Sequence, residues 1–231
     1  KSKGTKIIFK EKEYTVEELD EYSFKKDIDI ALFSAGGEIS KKYAPIAKEN
    51  GIVVVDNSST WRMYKDIPLV VPEVNPEDIK WHKGIISNPN CSTIQCVVPL
   101  KPLHDKFKIK RIIFSTYQAV SGSGLGGLMD LEYGLKSIKP KKYPHPIAYN
   151  CLPHIDSFLE NGYTKEEIKM IEETKKILHD DNLKITATTV RVPVRYGHSV
   201  SVNIEFENSF DIQEFFNVLK EAKGILVLRM A

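Results

Sequence analysis

The chain is poor in cysteine: its 231 residues hold only Cys91, Cys96 and Cys151. Three is too few, and too odd a number, for a secreted disulfide framework. No Cys-x-x-Cys or Cys/His spacing suits zinc, so no metal is expected. Apolar runs are short, and none approaches the roughly 20 residues needed to cross a bilayer. Lys1-Ser2-Lys3-Gly4 leads into a polar hairpin and not into the apolar core of a signal peptide. Charge of one sign is not in excess either. Lys and Arg number 33 against 31 Asp and Glu, for a formal net charge of +2. That balance gives no case for nucleic acid or membrane as a partner. The one basic cluster, Lys139, Lys141 and Lys142, is short, broken by prolines, and reads as a solvated loop. A cytoplasmic globular protein follows, long enough for one large domain or two small ones.

What is present concentrates around Ser87-Asn88-Pro89-Asn90-Cys91-Ser92-Thr93. Asn-Pro-Asn is turn chemistry, and the largely apolar run after it reads as a helix. Cys91 then stands at a helix start. There the unpaired amides and the positive end of the dipole favour the thiolate, which is the nucleophilic form. Cys96 falls inside the same apolar helix and reads as core, and Cys151 reads as structural. Two further segments carry reactive side chains: Ser115-Thr116-Tyr117-Gln118-Ala119-Val120-Ser121-Gly122, and Arg191-Val192-Pro193-Val194-Arg195-Tyr196-Gly197-His198. A cysteine, a glutamine, an arginine and a histidine suffice for acyl transfer through a thioester.

The pattern along the chain predicts an α/β protein. A hairpin is expected from Lys6–Phe9 and Glu13–Val16, then a strand over Ile28–Phe33. A helix over Ile39–Asn50 with a C-cap at Gly51 and a buried strand over Ile52–Val55 complete a βαβ unit of a Rossmann-type parallel sheet. Ser34 and Asp56–Ser59 fall at the carboxyl ends of those strands, where such sheets bind ligands. From Cys91 the pattern becomes α+β. Helices are expected from Cys91 to about Lys106, over Leu125–Ile138, from Thr164 to Leu178 and over Ile212–Lys220. Strands are expected over Ile109–Gln118, Leu183–Val194, Ser199–Phe206 and Ile225–Leu228, the long ones antiparallel. The boundary between the two parts, 1–90 and 91–231, is set near Cys91. Gly122-Ser123-Gly124-Leu125-Gly126-Gly127 matches a dinucleotide fingerprint, but no strand ending in Asp or Glu follows about 20 residues on, so a pyrophosphate loop is not expected there.

These motifs resemble aspartate-β-semialdehyde dehydrogenases. The likeness also includes Ser34-Ala35-Gly36-Gly37, Asp56-Asn57-Ser58-Ser59-Thr60-Trp61-Arg62-Met63, Val71-Pro72-Glu73-Val74-Asn75 and Pro153-His154-Ile155-Asp156, in order and over nearly the whole chain. The resemblance implies NADP-dependent reductive dephosphorylation of aspartyl phosphate to aspartate semialdehyde, a step toward lysine, threonine and methionine. It makes Cys91 the nucleophile, Gln118 the group that orients the acyl intermediate and His198 the acid/base. It gives Arg191 to the substrate carboxylate and Glu166 to the amino group, with Glu167 a close competitor. It gives Arg62, Lys169 and Asn90 to phosphate. Lys1, Ser2, Ser34, Ala35, Gly36, Ser121 and Gly122 are implied for the cofactor. His154 is implied as structural, and the role of Arg195 stays open. A homodimer is implied, with a tetramer as the alternative; small-molecule substrate and phosphate are the other partners.

Arg191 and His198 are seven apart, which puts them on opposite faces of an ideal strand. A bend at Tyr196-Gly197 must bring them together. Two other readings stand beside the main one. N-acetyl-γ-glutamyl-phosphate reductases share the chemistry, but with Asn-Pro-Gly-Cys-Tyr-Pro around the cysteine. A catalytically silent dimerisation fragment is the other: the family's opening G-x-x-G-x-V-G turn and its closing helix have no counterpart in these residues. By that comparison the 231 residues alone are expected to be inactive.

Overall fold

A computed structural model describes residues 2–228. Strands β1 (Lys6–Phe9) and β2 (Lys12–Thr15) form the expected hairpin. Lys10 and Glu11 make its two-residue turn at φ 46° and 64°, the left-handed geometry that matches the twist of a tight hairpin. Next come β3 (Ile30–Phe33), α1 (Gly37–Glu49) and β4 (Val53–Asp56), followed by β5 (Ile85–Ser87). The three strands lie in that order in one parallel sheet. The βαβ unit is as expected, and Gly51 at φ 81° turns the chain out of α1. The sequence pattern does not predict β5, whose three residues are too few to show a period. Phe33, Tyr43, Ala44, Ala47, Ile52, Val54 and Trp61 bury one face of this sheet against α1.

The second part holds α2 (Cys91–Phe107), β6 (Ile109–Gln118), a 3-10 turn over Val120–Ser123 and α3 (Gly124–Leu135). It continues with α4 (Lys165–Leu178), β7 (Lys184–Arg191), β8 (Ser199–Phe206) and α5 (Ile212–Glu221). The sheet order is β7-β6-β8, with β6 parallel to β7 and antiparallel to β8. This corrects the expectation of purely antiparallel long strands: β6 inserts between the two that follow each other in sequence. β7 stops at Arg191, short of the expected Val194, because Pro193 has no amide to give a ladder. Ile225–Leu228 is not a strand; no neighbouring strand pairs with it among the described residues, and Leu226 and Leu228 are exposed.

One face of this sheet packs on α2 and α4 through Val97, Leu100, Ile112, Phe114, Met170 and Ile177, joined by Leu69, Val71 and Val74 from the segment before β5. Phe114 is fully buried, and removing its ring would cost about 3–5 kcal/mol. The opposite face carries Tyr117, Ser115, Thr188, Ser199, Ser201, Asn203 and Glu205, with no helix over it among the described residues. Among the described residues no helix is long and apolar enough to cross a membrane.

Candidate active site

Cys91 is the first residue of α2, as the turn chemistry predicts. Asn90 caps that helix: its Oδ1 accepts from the amides of Ser92 (2.8 Å) and Thr93 (3.3 Å). The same side chain donates through Nδ2 to Glu166 at 3.0 Å. Cys91 Sγ lies 3.4 Å from His198 Nε2. The helix start does not prevail over the thiol's surroundings. Burial pushes the Cys91 thiol above its ordinary value and the Glu166 carboxylate pushes the same way. Hydrogen bonds with Ser92 and the Arg191 charge recover only part of this. The expected thiolate preference is therefore reversed in the free protein. Cys96 is buried core, its thiol pushed up to about 12 by burial.

Ala119 fixes both functional groups of the third motif through its peptide. Its carbonyl accepts from Arg191 Nη1 at 2.7 Å, and its amide donates to His198 Nδ1 at 3.0 Å. An amide can only donate. Nδ1 of neutral His198 is therefore the acceptor, and the ring proton sits on Nε2, facing the sulfur. Burial, then the Arg191 charge, push the imidazole below its ordinary value, against the pull of Glu166. The bend at Gly197, φ 81°, occurs where the strand argument requires it. Arg191 and His198 meet at Gly122, where a Cβ would fall 2.8 Å from Arg191 Nη1 and 3.1 Å from His198 Nε2.

α4 supplies the acidic and basic groups. Thr164 and Glu167 form a capping box at its start, and Glu167 Oε1 also accepts from the Thr189 amide at 3.0 Å. Glu167 is thus spent on structure, whereas Glu166 points to Asn90 and Gln118. Lys169 Nζ lies 2.8 Å from Asp156 and 3.4 Å from Glu166. Arg62, buried within the loop after β4, donates to Glu173 Oε1 and to the Asn57 carbonyl, both at 3.0 Å. Its Nε and that of Arg191 are buried without a protein partner.

These side chains enclose a cavity of about 520 Å³, lined among others by Arg62, Asn90, Cys91, Gln118, Glu166, Lys169 and Arg191. A second cavity of about 460 Å³ lies on the other side of Cys91 and is lined by Asn57, Asn88, Ser121, Gly122 and His198. The nucleophile candidate forms part of the wall between them. Ser34, Ala35 and Gly36 lie at the end of β3 and line neither cavity, and Ser2 lies in the exposed turn before the hairpin. Lys1 lies outside the described residues. Arg195 pairs with Glu132 on the surface. His154 packs against Phe158 with the rings tilted, centroids 4.6 Å apart, at the edge of the first cavity. The glycine run 122–127 is tight at its two ends and open at Gly124: a Cβ on Gly127 would fall 2.3 Å from the Val120 carbonyl and 2.6 Å from the Tyr143 hydroxyl.

Sequence reasoning misses Glu173, Lys176, Asp156 and Asp130. Asp130 is buried and accepts the amides of Lys141, Lys142 and Tyr143 at 2.7–2.8 Å. The loop's lysines are exposed, as expected, and that nest sets Lys142 and Tyr143 at the rim of the first cavity. The helical stripe Glu166, Lys169, Glu173, Lys176 is visible in the sequence, but not what it faces.

Two family models match the chain: semialdehyde dehydrogenase, NAD binding domain, over residues 1–82, and semialdehyde dehydrogenase, dimerisation domain, over residues 100–231. An aspartate-semialdehyde dehydrogenase of Aquifex aeolicus is 56% identical over 99% of this chain and 70% of its own length. The chain belongs to the aspartate-semialdehyde dehydrogenase family. Its fold superposes on the crystal structure of aspartate semialdehyde dehydrogenase II of Vibrio cholerae complexed with ASA, with a TM-score of 0.93 and 46% identity, covering all of this chain and 70% of that one. A Candida albicans aspartate semialdehyde dehydrogenase solved with NADP has a TM-score of 0.66 and 29% identity, over 84% of this chain and 55% of that one. As an aspartate-semialdehyde dehydrogenase the chain is an oxidoreductase with a nicotinamide-binding domain. The second cavity fits such a ring: Gly122 adds no side chain, and Asn57, Asn88 and Ser121 offer polar groups to a carboxamide.

Proposed function

We propose that the protein carries out NADP-dependent reductive dephosphorylation of L-aspartyl-4-phosphate to L-aspartate 4-semialdehyde through a thioester on Cys91. The observation that supports this best is the 3.4 Å approach of Cys91 Sγ to His198 Nε2 in the wall between the two cavities. In this reading Cys91 attacks the β-carbonyl carbon. A C–S bond forms, phosphate leaves with the electron pair of its C–O bond, and the thiol proton leaves with it as hydrogen phosphate. Nε2–H of His198 stabilises the sulfur anion beforehand and the oxyanion afterwards. Gln118 holds the acyl group, and the free donors of Arg191 take the α-carboxylate. Glu166 takes the α-ammonium, which cancels the charge that raises the thiol. Arg62, Lys169 and Asn90 hold the phosphate. A nicotinamide bound beside Ser121 and Gly122 would supply the hydride that takes the thioester to the aldehyde level. Collapse of the thiohemiacetal then returns the thiolate.

The Candida albicans structure solved with NADP supports that cofactor for this chain. Residues 1–90 form the cofactor part and 91–231 the catalytic and dimerisation part. The bare face of the β7-β6-β8 sheet suits a homodimer, and a cytoplasmic setting suits three free cysteines. Mixing the protein with L-aspartyl phosphate tests the central step without any cofactor. Intact mass should rise by one aspartyl group, mapped to Cys91 and released by hydroxylamine. No adduct, or the same adduct in Cys91→Ala, would end this reading.

A further inference from the structure

One face of α4 does more than line the first cavity. Glu166, Lys169, Glu173 and Lys176 follow one another at helical spacing along a single stripe. The first two face the cavity. The last two grip a segment more than 100 residues away in sequence. Glu173 is almost fully buried and uses both oxygens: Oε1 accepts from Arg62 Nη1 at 3.0 Å, and Oε2 from the Asn90 amide at 2.6 Å. Lys176 Nζ donates to the carbonyls of Arg62 (2.7 Å), Tyr64 (2.7 Å) and Ile67 (2.9 Å). An ammonium has three protons, so this one is fully committed to backbone.

Arg62 is thereby held from two sides, by its guanidinium and by its own carbonyl. The guanidinium has five donors, and two are taken by Glu173 and Asn57. The three left over include the unpartnered Nε, on a side chain that lines the first cavity. Through its second oxygen Glu173 also ties this arginine to the residue preceding Cys91.

From this geometry we propose that Glu173 and Lys176 are positioning residues that set Arg62 for the substrate phosphate and keep it in register with Cys91. This rests on the reading of Arg62 as a phosphate ligand. The arrangement gives α4 two functions in one stripe: direct contact with substrate, and alignment of an arginine on the loop after β4. A bidentate donor is useful only at fixed distance and angle, and its backbone is otherwise a surface loop.

Calorimetric titration of the protein with inorganic phosphate tests the proposal. Glu173→Asp keeps the charge but cannot span both partners, and Lys176→Met keeps the stem but releases the loop. Each should weaken phosphate about tenfold and leave the binding of L-aspartate semialdehyde, which carries no phosphate, unchanged. Arg62→Ala should weaken phosphate at least as much, and adding Glu173→Asp to it should cost nothing further. Wild-type phosphate affinity in both Glu173→Asp and Lys176→Met would overturn the positioning role while leaving Arg62 a phosphate ligand. So would full additivity with Arg62→Ala. An Arg62→Ala variant that binds phosphate normally would instead remove the phosphate reading, and this proposal with it. If Glu173→Asp does not fold, Lys176→Met alone and combined with Arg62→Ala decides the question in the same way.

Discussion

A single methyl group at Gly122 should disable the site without touching the fold. An ideal Cβ there falls 2.8 Å from Arg191 Nη1 and 3.1 Å from His198 Cε1 and Nε2, against the 3.4 Å at which ordinary contact begins. The two side chains must retreat by roughly half an ångström. Neither is free to do so. Arg191 is 5% exposed and bound to the Ala119 carbonyl at 2.7 Å, and His198 is bound to the Ala119 amide at 3.0 Å. Displacing them strains two hydrogen bonds, one of them charge-assisted and worth about 1.5–3 kcal/mol. It also spoils the approach of Nε2 to sulfur. Gly122→Ala should therefore slow acylation by about 10²-fold, or ~2.7 kcal/mol in the barrier. Gly122 is not among the residues at positive φ, so alanine suits the backbone and the fold should persist, with a melt lowered by no more than the strain on those two bonds. The assay is the burst of phosphate released from L-aspartyl phosphate, beside a thermal melt. A burst within about threefold of wild type, with an unchanged melt, would refute the claim that Arg191 and His198 act from the positions seen.

Glu166→Gln removes a negative charge that raises both the Cys91 thiol and the His198 imidazole. Iodoacetamide should then label Cys91 faster at neutral pH, with its rate profile moved to lower pH, and the His198 ring should titrate lower by NMR; slower labelling would contradict the sign. Cys96, buried with its thiol near 12, should label slowest of the three cysteines, as peptide mapping would reveal. Arg191→Lys should cost about 10- to 150-fold in acylation efficiency, because one ammonium cannot replace both the tie to Ala119 and a fork on the carboxylate. A loss below about threefold would show that Arg191 does not touch substrate. NADPH should bind these 231 residues weakly in calorimetry, since Gly127 and Ser123 of the one dinucleotide-like glycine run are packed against Tyr143; micromolar affinity would require that loop to open.

Local chemistry made much of the architecture readable. The βαβ unit announces itself through a β-branched run, a helix period and Gly51, and α2 and α4 through Asn90 and the Thr164–Glu167 box. What stayed hidden is non-local. Nothing near Ile109–Gln118 says that it will run between β7 and β8, because strand order is decided by which faces bury together. Ile225–Leu228 has the composition of a strand and no ladder to join. Lys141 and Lys142 are exposed as their composition suggests, but the tie of their amides to Asp130, eleven or more residues earlier on another element, is not legible in the sequence.

The site shows the same division more sharply, and it bears on chemistry. Residue types and motif order were enough to nominate Cys91, Gln118, Arg191 and His198; the structure sets Cys91, Gln118 and Arg191 on the first cavity and His198 on the second, 3.4 Å from the sulfur. Their protonation was not legible, because it depends on neighbours contributed by other elements. A helix start argues for a thiolate, yet burial and a carboxylate from α4 reverse that preference in the free protein. The histidine motif cannot say which ring nitrogen holds the proton; the Ala119 amide decides it. Together these make the resting pair a neutral imidazole donating toward sulfur, beside a thiol held back first by burial and then by Glu166. On the roles proposed above, a substrate ammonium that pairs with Glu166 would remove the second of these restraints as it binds, so that the thiol of the empty cavity is the less reactive form.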